Sequence, residues 1–156
     1  MWPWSVAYRF EQAIPAPPRA AFEWLTDYRP SDLDLMGEDG RRSVTVLDPS
    51  TILLIDTFRH SGGPVVKTKL VRLYPDRLLW TSTHITGPTT HSQFLYELRA
   101  GPRGSSRFRF TGLQFERHRR RPTPASLRAF AQRIRTEDAA AWRRIARAIG
   151  EDRKGR

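Results

Sequence analysis

The 156 residues carry 38% hydrophobic side chains, enough for one domain that buries roughly two-thirds of its unfolded surface. With no cysteine, disulfides and thiol chemistry are excluded. No window approaches the roughly 18 apolar residues of a membrane span, and the start Met1-Trp2-Pro3-Trp4 lacks the basic-then-apolar layout of a secretory signal; a soluble, cytoplasmic protein is expected.

Residues 5–14 alternate Val6, Tyr8, Phe10 and Ile14 against Arg9 and Glu11, the pattern of a half-buried strand. Pro15-Ala16-Pro17-Pro18 breaks it and suits a helix start. Ala20, Ala21, Phe22, Trp24 and Leu25 then form a short helix ending near Asp27-Tyr28. A second helical turn is expected over 31–36 with Ser31 as cap, followed by a polar loop over 37–42. Six short strands follow, over 43–47, 51–59, 65–74, 77–86, 90–100 and 107–115, separated by Gly, Pro, Asp and Ser turns. Short connections make neighbours antiparallel, and the first strand brings the sheet to seven.

Parity within the strands marks one covered face. Phe94, Tyr96 and Leu98 oppose Glu97 and Arg99; Phe108 and Phe110 oppose Arg107 and Arg109. By the same reasoning Val66, Thr68 and Leu70 face inward and Lys67 and Lys69 outward. Asp56 shares parity with the apolar Ile52, Leu54 and Phe58. Ser82 and His84 face inward with Leu78 and Trp80 if the following connection holds an odd number of residues; an even number would turn Thr81, Thr83 and Ile85 inward instead.

The cover for this face is a helix over 123–149. Thr123 is its N-cap, Pro124 its first residue and Gly150 its stop. At about 100° per residue, Leu127, Phe130, Ala131, Ile134, Ala141, Trp142, Ile145 and Ile149 share an arc of roughly 120°, with arginines around the rest. Asp138 projects from the middle of that apolar arc. Either a bend or an ion pair with Arg135 or a strand arginine accommodates it, or it points into a cavity. Residues 1–150 read as a single domain and 151–156 as a charged tail.

A strand, two short helices, six antiparallel strands and a long helix resemble the helix-grip superfamily of START-like, polyketide cyclase/dehydrase and birch-pollen-allergen proteins. The strongest local likeness is the opening, where a strand ending in Ile14-Pro15-Ala16-Pro17 leads to Ala21-Phe22-Glu23-Trp24-Leu25-Thr26-Asp27. The loop from Gly37 to Gly40 departs from it, lacking the tryptophan-proline cluster of many relatives. The resemblance implies an α+β fold in which a curved sheet grips the helix and leaves an apolar pocket. It also implies a hydrophobic small-molecule ligand, such as a lipid, sterol, polyketide or aromatic metabolite, held by a carrier or sensor-like protein.

The residues suited to that pocket are Asp56, Trp80, His84, Phe94, Tyr96, Phe108, Phe110, Phe130, Ile134, Asp138 and Trp142, with Tyr8, Phe10 and Leu54 beside them. The alternative is a cofactor-free cyclase or dehydratase, with His84 as general base and Tyr96 or Asp138 as partner. His60, His84, His91 and His118 lack the spacing of a zinc or two-histidine-one-carboxylate site, so no metal or cofactor is expected. The net charge of +11 concentrates after residue 116, where 13 of the 27 Lys and Arg face 4 of the 16 acids. Its run Arg117-His118-Arg119-Arg120-Arg121 fits a solvated face, an anionic membrane or acidic protein partner, or nucleic acid, though no aromatics interleave to stack bases.

Overall fold

The computed structural model describes residues 1–154. Within them, β1 (Trp2–Ile14), β2 (Gly40–Asp48), β3 (Thr51–His60), β4 (Gly63–Tyr74), β5 (Leu79–Thr86), β6 (Gln93–Ala100) and β7 (Ser106–His118) form one antiparallel sheet in the order β1-β7-β6-β5-β4-β3-β2. Two helices, α1 (Pro18–Thr26) and α2 (Asp32–Leu35), sit between β1 and β2, and α3 (Pro124–Lys154) closes the chain. The meander follows from turns too short for a crossover; only β1 pairs out of sequence, lying against β7 from Trp2↔His118 to Ile14↔Ser106.

The core joins the inner face of the sheet to the helices. Tyr8, Phe10, Leu54, Val71, Trp80, Leu98, Phe108 and Phe110 are buried with Phe22 of α1 and Phe130, Ile134 and Ile149 of α3. The entry into α3 is capped reciprocally. Thr123 Oγ1 accepts from the Ser126 N–H at 3.1 Å, and Ser126 Oγ accepts from the Thr123 N–H at 2.8 Å. Ser31 precedes α2 but makes no side-chain cap bond; its neighbour Asp32 instead accepts from the Arg29 N–H at 2.8 Å.

Three expectations need correction. The helix does not stop at Gly150 but runs to Lys154, taking in the first four residues expected as a tail; residues 155–156 lie outside the described residues. A Cβ on Gly150 would stand 3.1 Å from Pro15 Cγ, so the glycine serves close packing against the end of β1 rather than termination. The polar loop expected over 37–42 gives way at Gly40 to β2, which makes Arg42 a buried strand residue.

The third correction concerns β4, whose parity is reversed. Lys67, Lys69 and Val71 face inward, while Val66 is 45% exposed. Lys67 pairs in register with Asp56 and Lys69 with Leu54, so both lysines share the inner face with the Asp56 side chain. An inward carboxylate needs counter-charges, and this sets the face of the strand beside it.

Candidate functional site

Between the inner sheet face and α3 lies a cavity of about 730 Å³. Its mouth is marked by exposed residues from two places, Leu35 of α2 with Gly37 and Glu38 just after it, and Arg133, Glu137 and Arg144 of α3. Arg144 donates to the Met36 carbonyl at 3.0 Å and ties these two rims together. The middle of α3 presents Asp138, Ala140, Ala141 and Trp142 to the cavity. Two alanines in succession leave the space that larger side chains would fill.

Of the residues singled out from sequence, Trp80, His84, Phe94, Tyr96, Phe110, Ile134, Asp138 and Trp142 lie on the wall. Trp80 and Tyr96 stack with centroids 5.0 Å apart, and Tyr96 meets Trp142 at 5.8 Å. Three do not line it. Phe108 is fully buried beneath Trp142, stacked at 4.0 Å. Phe130 packs against Trp4 and His118 toward the start of α3, at 5.7 and 5.6 Å. Asp56 is fully buried behind the wall, screened by its own partners.

Those partners are the residues that sequence reasoning missed. Arg42 grips both Asp56 oxygens, Nε at 2.7 Å and Nη2 at 2.9 Å, and Lys69 Nζ reaches Oδ2 at 2.7 Å. Asp32 stands 3.5 Å from Arg42 Nη1. Burial would push the Asp56 carboxyl up, but Arg42 and Lys69 outweigh it and hold the group below the usual carboxylate range. Burial pushes the Lys69 ammonium down, against the pull of Asp56. The one available signal was Asp56 itself, whose inward parity called for cations.

His84 faces the cavity, as the register requires. β5 and β6 pair as far as Thr83↔Gln93, enclosing residues 84–92, an odd number. Its Nδ1 is 2.7 Å from Thr89 Oγ1. Burial, then Lys69 and Lys67, push the imidazole down to about 3, so it is neutral near pH 7. His60, His91 and His118 do not line the cavity; His118 stacks on Trp4 at 4.2 Å.

Asp138 takes the cavity-facing position, and its partner is not an arginine but the Tyr8 hydroxyl, which donates to Oδ2. Arg135 turns away and donates to the Arg9 carbonyl at 2.9 Å. Burial raises the Asp138 carboxyl above its ordinary value, and burial together with that carboxylate raises the Tyr8 phenol. Gly112 makes the contact possible. It pairs with Tyr8 across β1 and β7, and a Cβ there would stand 2.7 Å from the Tyr8 ring. None of Arg117, Arg119, Arg120 or Arg121 lines the cavity; Arg121 lies 5.4 Å over the Trp2 ring.

No family model matches the sequence, and no curated protein does. Solved structures do match. The Zhui aromatase/cyclase from Streptomyces sp. R1128 superposes with a TM-score of 0.73 at 14% identity, over 97% of this chain and 96% of that one. The di-domain aromatase/cyclase StfQ of the steffimycin biosynthetic pathway gives 0.76 at 12% identity, over 98% of this chain and 53% of that longer one. Ara h 8.0201 gives 0.71 at 12% identity, over 94% and 99%. What these likenesses establish is architecture: the chain shares with these proteins the helix-grip fold, a curved antiparallel sheet around a long C-terminal helix, that its sequence pattern resembles.

Proposed function

We propose that the protein binds a largely apolar small molecule between its sheet and α3, as a carrier or sensor. The observation that carries this reading is the cavity of about 730 Å³ walled by Trp80, Phe94, Tyr96, Phe110 and Trp142. That volume and five aromatic side chains on one wall, with polar and charged groups grouped around them, suit a small-molecule site. The fold shared with aromatase/cyclases adds support by analogy. The test is a fluorescence titration with N-phenyl-1-naphthylamine, an uncharged dye that brightens in apolar surroundings. Saturable binding is expected, together with its loss in Ala141→Phe, which fills the cavity from α3. Absence of binding, or unchanged binding in the filled variant, would overturn the reading.

A second reading, a cofactor-free cyclase or dehydratase, is favoured by Asp138. Its carboxyl is shifted up by burial, bonded to Tyr8 and turned to the cavity, the placement of a group that holds and moves a proton. His84, with its pKa near 3, is too weak a base to lead that chemistry near pH 7. Under this reading Asp138→Asn abolishes conversion of a linear poly-β-ketone thioester yet leaves dye binding intact. Equal conversion by the variant would remove it.

A further inference from the structure

We infer that the ligand is an anionic amphiphile, its apolar body against the aromatic wall and its acidic head group on the Lys67 and Lys69 ammoniums. This rests on the apolar-cavity reading and adds the chemical class of what the cavity takes.

The argument begins from the charges that β3, β4 and β2 bring to one end of the cavity. Three cations, Arg42, Lys67 and Lys69, line it there. Asp56 behind them is fully engaged, with both oxygens on Arg42 and one also on Lys69. Asp32 stands nearest Arg42, at 3.5 Å. Among the described residues Lys67 has no carboxylate within ion-pair distance. Asp138 faces the cavity from α3, where its Oδ2 is held by Tyr8. His84 beside the lysines contributes no charge near pH 7.

The two ammoniums share one aromatic neighbour. Lys67 Nζ lies 5.4 Å and Lys69 Nζ 5.9 Å from the centroid of one ring, Phe58. Like charges on one partly desolvated wall repel, and the downward shift of Lys69 has Arg42 and Lys67 among its causes. Lys67 also has little freedom to swing away. Gly87, at φ 104°, brings the β5–β6 connection so close that a Cβ there would stand 3.1 Å from Lys67 Cγ. A carboxylate, sulfonate or phosphate bridging the two ammoniums would relieve the repulsion and gain charge-assisted hydrogen bonds. A neutral ligand would gain neither.

The test compares two dyes with the same aromatic body, 8-anilinonaphthalene-1-sulfonate and its uncharged parent N-phenyl-1-naphthylamine. Wild-type protein is expected to bind the sulfonate about tenfold or more tighter than the parent, the scale of a charge-assisted hydrogen bond. Lys67→Gln removes that preference, read as the ratio of the two affinities within one variant, and Lys67→Arg retains most of it. Arg128→Gln, an equal loss of charge at an exposed position on α3, leaves sulfonate affinity unchanged. Equal affinity for the two dyes in wild type would overturn the head-group site while leaving the cavity reading standing. So would a Lys67→Gln variant that keeps the preference, or an Arg128→Gln variant that loses it. If neither dye binds, both fall together.

Discussion

Lowering the pH should unfold this protein partly through one histidine. His84 is 8% exposed, and its pKa falls from 6.5 to about 3 on folding. Below pH 6.5 the unfolded chain takes up a proton at this position that the folded chain refuses until about pH 3. The stabilisation from keeping His84 neutral is therefore complete above pH 6.5 and drains away as the pH falls toward 3. The slope approaches about 1.4 kcal/mol per pH unit once the unfolded histidine is mostly protonated, so the loss between pH 7.5 and 4.5 is about 3 kcal/mol. The burial of Asp138 and Asp32, whose carboxyls are shifted up, works in the opposite direction. The measurement is therefore a difference: urea unfolding of wild type and His84→Gln at several pH values between 7.5 and 4.5, with the carboxylates common to both. Glutamine keeps a polar group for Thr89 and carries no titration. Wild type should lose about 3 kcal/mol more than the variant across that range. Parallel stability curves would refute the reasoning.

Two further substitutions examine what holds the site in place. Asp56→Ala leaves Arg42 and Lys69 buried without their shared carboxylate and should cost about 3–5 kcal/mol in chemical denaturation; the double variant with Arg42→Met should cost less than the sum of the two singles. Gly112→Ala places a methyl 2.7 Å from a Tyr8 ring packed on Phe110 and bonded to Asp138, and should cost about 1–3 kcal/mol by thermal unfolding. A neutral alanine variant would mean that the ring is free to move.

The strands, the meander and the long helix were legible because each writes its own periodicity into a few consecutive residues. Val6, Tyr8 and Phe10 alternate; Phe130, Ile134, Trp142 and Ile145 recur at helical spacing, and Asp138 stood out against that arc. The inward positions of Tyr96 and Trp142 followed from the same local rules, while those of Trp80 and His84 waited on the length of the β5–β6 connection, which the register supplied. What tertiary structure alone decided was where the charges went. Lys67-Thr68-Lys69-Leu70 suits either face, since a lysine stem is nearly as apolar as a valine and only its tip objects to burial. The choice was made on the two strands to one side of β4, by Arg42 and Asp56 meeting across β2 and β3, a pairing that only the register of those strands fixes. Volume was equally out of reach. A void is the difference between the spacing of packed elements and the side chains filling it, so two alanines on α3 become a cavity only once the sheet curves away from them.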